Sequence, residues 1–262
     1  MKNKNFDWST TSPLNVWQIL LAVFGPSAFA FFGFHWVLPR VVNDGISPIL
    51  GWGIIAGIML AILTLLAFML LTHDARKLNI SLKARLCLTR VSTKQWIYYL
   101  LLALLLMLFA SIIQPTLAKI WQALDFVPPE YYPFFLRGVD PAATPLEQLS
   151  PGLPLLGAYW LLPIMAIVLA LNILAEDFYF RAWLMPKMSW IGRPTWIVNG
   201  FLFAFYHTFQ LWLLPILLLA SLIFAFVVWH SKSIVPSLVL HFVLNFLFSI
   251  LGMLALITGL AP

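Results

Sequence analysis

Charged residues are scarce in this 262-residue chain, at 9% of positions, whereas a soluble domain carries about 25%. This scarcity excludes an ordinary soluble fold and places the chain in the lipid bilayer. The single cysteine, Cys87, excludes an intrachain disulfide. Segments of alternating hydrophobicity about ten residues long, which build outer-membrane barrels, are also missing. A bundle of helices is then the way to satisfy the backbone hydrogen bonds in lipid.

Apolar runs long enough to cross a membrane are abundant instead. We predict an all-α, polytopic transmembrane bundle of seven to eight segments in a bacterial cell membrane. The range reflects the 34 residues of 155–188, because a straight helix of that length is about 51 Å long and the hydrocarbon core about 30 Å thick. This stretch must tilt, kink or split, with Pro163 as the expected break. The predicted spans are 16–38, 46–72, 96–117, 155–188, 195–212, 213–229 and 234–259.

The distribution of basic residues predicts which ends of the helices face the cytoplasm. The loop 73–95 carries six lysines and arginines against one acid, and Lys2 and Lys4 precede the first span. Cytoplasmic loops are enriched in such residues, so this loop and the N-terminus are expected inside. The same bias explains the net charge of +6 without a nucleic acid partner. The connection 118–154, which contains seven prolines, is then an irregular external segment.

Three polar motifs lie in the apolar C-terminal part of the chain, where ionisable side chains are costly and mark function or pairing. Glu176 lies 12 residues before Met188, at the turn that separates two spans, and His207 lies 12 residues after Thr195, on the other side of that turn. Both are then about 18 Å from the same membrane face. The last span carries the third motif at a similar depth. The members of the three motifs are Glu176, Asp177 and Arg181; Phe203 and His207; and His241 and Asn245.

The spacing inside each motif predicts contacts along one helix. Asp177 and Arg181 are four residues apart and are expected to form an ion pair, which leaves Glu176 as the free carboxylate. Phe203 is expected to pack beneath His207. A purely structural alternative is a buried charge network that joins the helices, with His241 and Asn245 as an interhelical hydrogen-bonding clamp.

The order and spacing of these motifs resemble the CAAX protease and bacteriocin-processing family of intramembrane endopeptidases, which includes Ras-converting enzymes. The similarity covers residues 155–251. We therefore divide the chain into N-terminal transmembrane helices with the proline-rich connection (1–154) and a C-terminal catalytic core (155–262). Two positions differ from the family pattern: Asp177 stands where a second glutamate is usual, and Ala182 where glycine is frequent.

The resemblance implies a reaction and a role for each residue. Glu176 would act as general base toward a water, and His207 would share the proton. His241 and Asn245 would stabilise the oxyanion, while Arg181 would orient the site. The partners implied are the lipid bilayer and a membrane-associated peptide, either lipidated (CAAX-type) or of the leader or bacteriocin type. The site is expected to open toward the cytoplasmic side and to need no cofactor.

Other functions remain compatible with the same residues. Glu176, His207 and His241 form a set that suits catalytic zinc, although no His-Glu-x-x-His helix is present. The protein could also be a non-catalytic membrane interaction or immunity protein that binds a peptide or a sensor partner. A transporter or proton relay is a third class, and the lack of an internal repeat weighs against it.

Overall fold

The computed structural model describes residues 6–260, apart from the side chain of Phe248. Within that range every regular element is helical and no strand is present, which confirms the all-α prediction. Six helices are long and apolar enough to span a membrane. Lys2 and Lys4, which contribute to the predicted orientation, lie outside the described residues.

The bundle has seven principal helices, which we number in chain order. The fifth, with 12 residues, is apolar but shorter than a full span. Short helical turns lie in the connections, at Leu82–Arg85, Gln114–Gln122, Phe134–Arg137 and Leu146–Leu149. The principal helices are α1 (Val16–Asn43), α2 (Pro48–Lys77), α3 (Thr93–Ile112), α4 (Leu161–Lys187), α5 (Thr195–Tyr206), α6 (Leu214–Ser231) and α7 (Val235–Thr258).

Polar caps determine where the first three helices begin. Asn15 accepts from the backbone N–H of Gln18, whose side chain accepts from the N–H of Asn15 in return. Ser92 and Gln95 make the same reciprocal pair at the start of α3. Such capping boxes satisfy backbone donors that the first helical turn leaves free. At α2, Ser47 caps the helix and Pro48 takes the first position, where its missing N–H costs nothing.

Helix α4 runs unbroken over 27 residues, so the break predicted at Pro163 is wrong. Pro163 lies in the first turn, where proline is tolerated. The helix instead begins six residues after the predicted start, at Leu161, and widens into π-type turns over Asp177–Leu184. Such turns are rare in proteins as a whole, and those that occur are often found at functional sites. The widening begins directly after Glu176.

Helix α5 is shorter than the predicted span 195–212 because the chain leaves the α-helix at His207. Beyond it the segment Thr208–Leu213 forms 3-10 turns that are interrupted by one residue of non-helical backbone conformation, Gln210. Helix α5 packs closely on α6: a Cβ added at Gly200 would lie 3.0 Å from the Cα of Leu222. This close approach positions the end of α5, and with it His207, against the rest of the bundle.

Candidate active site

The structure brings the three predicted motifs together inside the bundle. The Nε2 atom of His207 lies 3.6 Å from Oε1 of Glu176, and the Nε2 atom of His241 lies 3.6 Å from Oε2 of the same carboxylate. All three residues are at least nine-tenths buried. The carboxylate thus faces two imidazoles, one on each oxygen, at a distance slightly longer than a direct hydrogen bond.

The other nitrogen of each ring is held by an acceptor. The Nδ1 of His207 donates to the backbone carbonyl of Phe203 at 2.9 Å, and the Nδ1 of His241 donates to Oδ2 of Asp177 at 3.0 Å. A carbonyl and a carboxylate only accept, so both Nδ1 atoms carry the proton. Each ring therefore presents Nε2 to Glu176 in a fixed orientation.

The predicted ion pair between Asp177 and Arg181 is long, with Nε and Oδ1 at 4.0 Å. Asp177 has closer partners: Ser237 donates to Oδ1 at 2.5 Å, and His241 donates to Oδ2. The guanidinium of Arg181 instead lies over the ring of Phe203, 3.7 Å from its centroid, and donates to the carbonyl of Glu176 at 3.4 Å. Asp177 thus serves chiefly to hold His241.

Phe203 packs against His207 as predicted, with the two ring centroids 4.8 Å apart and the ring planes perpendicular. Its opposite contact is the guanidinium of Arg181. The ring therefore separates a buried cation from the imidazole of His207. Because the ion pair of Arg181 with Asp177 is long, the cation–π contact with Phe203 supplies part of the stabilisation of the buried guanidinium.

Two asparagines complete the site, and one of them was not predicted. Asn172 donates to Oε1 of Glu176 at 2.8 Å, and Asn245 donates to Oδ1 of Asn172 at 3.2 Å. Asn245 therefore reaches Glu176 through Asn172, and its second N–H has no hydrogen-bond partner among the described residues. The sequence feature that could have identified Asn172 is its position: it is a single amide in an apolar run, four residues before Glu176 and so on the same helix face.

Glu176, His207 and His241 are the donors that the zinc alternative would use. The two imidazoles approach different oxygens of the carboxylate. Within the described residues, no group of three or more His, Cys, Asp or Glu side chains could hold a metal ion. The donor set has the right chemistry for zinc, so a chelator is needed to test the metal-free prediction.

A cavity of about 620 Å³ contains the site. It extends from Glu176 along the first half of α2 and the first half of α4 to Phe134 and Leu136 in the connection 118–154. These elements lie at the end of the bundle opposite the loop 73–95. The cavity therefore extends away from the loop on whose side we predicted the opening. Residue spacing does not predict where the packing of helices leaves space.

A buried carboxylate with two oriented imidazoles and amide donors defines a candidate hydrolytic site inside a helical membrane bundle. Residues 158–247 match the family model of the type II CAAX prenyl endopeptidase Rce1-like proteins. This range contains all three motifs, so the resemblance predicted from them is confirmed. The match covers about a third of the chain. No curated protein and no solved structure gives a significant match to the chain.

Proposed function

We propose that this protein is an integral-membrane endopeptidase that hydrolyses a peptide bond with a water activated by Glu176, without a metal. The observation that carries the proposal is the carboxylate of Glu176 between the Nε2 atoms of His207 and His241. The match of residues 158–247 supports the same class of reaction. The substrate is a membrane-associated peptide, lipidated or of the leader type.

The first step is attack of water on the scissile carbonyl. The 3.6 Å separations between Glu176 and the two imidazoles suit a water between the groups. Glu176 takes one proton of this water while the oxygen forms a bond to the carbonyl carbon. Asn172, which donates to Oε1, holds the carboxylate in the orientation that this transfer needs.

His241 and Asn245 stabilise the oxyanion that develops. Glu176, Asp177 and Arg181 together carry a net charge of minus one, so a single imidazolium neutralises the buried cluster. We assign this imidazolium to His241, because its Nδ1 donates to the carboxylate of Asp177, whereas the Nδ1 of His207 donates to a neutral carbonyl. The Nε2–H of His241 and the second N–H of Asn245 would donate to the oxyanion.

The second step releases the amine. The proton held by Glu176 passes through His207 to the leaving nitrogen as the C–N bond breaks. His207 suits this role because its Nδ1 is held by a neutral carbonyl, that of Phe203. The ring can thus accept and return a proton without a fixed counter-charge. The products are a carboxylic acid and an amine, and Glu176 returns to the carboxylate.

The test is cleavage by purified protein in detergent. The substrates are quenched fluorescent prenyl-peptides and leader-type peptides, and the variant is Glu176→Gln, which keeps the shape of the side chain. The matched control is Glu147→Gln, an exposed acid in the connection 118–154. We expect the Glu176 variant to lose at least about 10³-fold in kcat, and the control and a zinc chelator to leave turnover unchanged.

Two results would contradict this function. Full activity in Glu176→Gln would remove the proposed base, and loss of activity with the chelator would return the site to metal chemistry. If folded wild-type protein cleaves no peptide and Glu176→Gln keeps the biological effect, the protein is a binding or immunity protein instead.

The arrangement in the membrane is part of the proposal. We propose seven membrane segments, the six long helices and the 12-residue α5, which reaches His207 from the side of the loop 73–95. About 18 Å of helix suffices because α5 ends at the site in the middle of the bundle. The basic loop 73–95 then faces the cytoplasm of a bacterial cell.

A further inference from the structure

The described lining of the cavity around Glu176 extends toward one end of the bundle. Helix α2 begins at Pro48 and ends at Lys77, beside the loop 73–95. The cavity is lined by the first part of this helix, by the first half of α4 and by the last turns of α7. All three regions lie at the end away from that loop. No described residue of 73–95 lines the cavity.

The opposite end is closed by packed side chains. Every residue from Tyr179 to Met188, the last turns of α4 and the start of the following turn, is buried. Beside them Asp74 pairs with Arg85 at 2.7 Å and with Lys187 at 3.0 Å. Arg85 is fully buried and donates to the carbonyl of Ala182 at 2.5 Å. About 18 Å of packed helix therefore separates Glu176 from the turn at Met188.

The connection 118–154 lines the cavity at the end away from the loop 73–95 and is tied to the segment that follows His207. Tyr132 donates to the carbonyl of Phe209 at 2.7 Å. Trp121 donates to the carbonyl of Leu211, and Trp212 donates back to that of Leu136, both at 2.7 Å. Backbone held at these points fixes the mouth of the cavity relative to His207.

The cavity wall is apolar beyond the site itself. Apart from the polar groups around Glu176, its lining is dominated by Leu, Ile, Met and Phe side chains, and Glu176 is the only Asp, Glu, Lys or Arg among the described lining residues. An extended peptide segment with uncharged, apolar side chains fits such a wall, because a charged side chain would lose its hydration without a partner.

We propose that the substrate reaches Glu176 from the side of the connection 118–154, as an apolar, uncharged peptide segment presented at the membrane face opposite the loop 73–95. With that basic loop in the cytoplasm, this is the extracytoplasmic face. A peptide anchored to the cytoplasmic leaflet would meet the closed end. The reaction rests on the proposed function, whereas the side of access is a separate property of the fold.

Thiol labelling tests the side of access without any need for activity. The background is Cys87→Ala, which removes a buried thiol whose pKa is raised by its burial. Met165→Cys places a thiol in the cavity wall. Ile167→Cys is the matched control on the same helix, because Ile167 is 62% exposed and is not among the described residues that line the cavity. Lys83→Cys, exposed in the loop 73–95, reports the opposite side.

A membrane-impermeant thiol reagent is added to intact cells and to inside-out vesicles. We expect Met165→Cys to react from the side opposite to that of Lys83→Cys, and at least about tenfold faster than Ile167→Cys, because thiolates form in water rather than in lipid. Reaction of Met165→Cys from the same side as Lys83→Cys, or no faster than that of Ile167→Cys, would overturn the proposal.

A second measurement separates the side of access from the reaction. The leader-type peptide panel is added outside sealed vesicles of each orientation. We expect cleavage where the connection 118–154 faces outward, and loss of cleavage where the loop 73–95 does. Cleavage only in the second orientation would overturn the proposal. If the enzyme is inactive even in detergent, the proposed function fails, and the labelling result still decides the side of access.

Discussion

His241 lies between two carboxylates that are adjacent in the sequence. Its Nδ1 is 3.0 Å from Oδ2 of Asp177, and its Nε2 is 3.6 Å from Oε2 of Glu176. Neighbouring residues of a regular α-helix point about 100° apart. Both reach one ring because the ring spans the angle between them, where the helix widens into π-type turns. The pair divides the work: Asp177 orients the ring and Glu176 faces its reactive nitrogen.

This relationship predicts that Asp177→Asn lowers kcat by roughly 100-fold or more with little change in KM. The amide keeps the shape but removes the negative charge that the Nδ1–H of His241 faces. It can also donate to Nδ1 and reverse the tautomer. Steady-state kinetics of the purified variant measures both parameters.

Ser237→Ala is the control for that change. It removes the other close partner of Asp177 but leaves the charge in place, so we expect a loss of less than about tenfold. Equal effects of the two substitutions would mean that Asp177 acts through packing rather than through its charge.

The chain of amides from Asn245 through Asn172 to Glu176 predicts coupled effects. Asn172→Ala removes the hydrogen bond at 2.8 Å that holds the carboxylate, and Asn245→Ala removes a donor to Asn172 and to the proposed oxyanion. We expect each single variant to lower kcat. The fold-loss in kcat of the double variant should be about tenfold smaller than the product of the two single fold-losses. If the fold-loss in kcat of the double variant equals the product of the two single fold-losses, Asn245 does not act through Asn172.

The depth of Glu176 and His207 in the bundle could be predicted from the sequence, whereas the directions of the side chains on α4 could not. The rise of an α-helix is constant, so the 12-residue spacings were enough to bring Glu176 and His207 to one level. The predicted Asp177–Arg181 pair is long in the structure because the four-residue rule assumes 3.6 residues per turn, whereas π-type turns over Asp177–Leu184 rotate the side chains differently. No sequence pattern predicted those turns.

The missing parts of the site depend on contacts between distant segments. Ser237 and Asn172 are ordinary polar residues in their own helices, and they acquire roles only when α4 and α7 pack together. The cavity likewise depends on α2 and on the connection 118–154, which carry no motif. Local spacing cannot report which face of a bundle remains open.

The close approach of α5 and α6 predicts a stability effect at Gly200. A methyl group there would lie 3.0 Å from a backbone Cα that cannot move aside, so Gly200→Ala should destabilise the protein by about 1–3 kcal/mol. Gly57→Ala is the matched control, because its Cβ would meet only an ordinary contact at 3.7 Å. Thermal unfolding in detergent measures both, and similar melting temperatures for the two variants would contradict the tight packing at Gly200.

The closed end of the bundle predicts a large cost for removing Asp74. This carboxylate neutralises Arg85, which is fully buried, and Lys187, which is nearly so. Asp74→Ala leaves two buried cations unpaired, and we expect a loss of about 3–5 kcal/mol in the free energy of unfolding. Asp44→Ala, an exposed acid after α1, should change it by less than about 0.5 kcal/mol.

Adding Arg85→Met to Asp74→Ala removes one unpaired cation and should restore part of the loss. A double variant less stable than Asp74→Ala alone would mean that Arg85 contributes mainly through its bonds to Ala182 and Trp183.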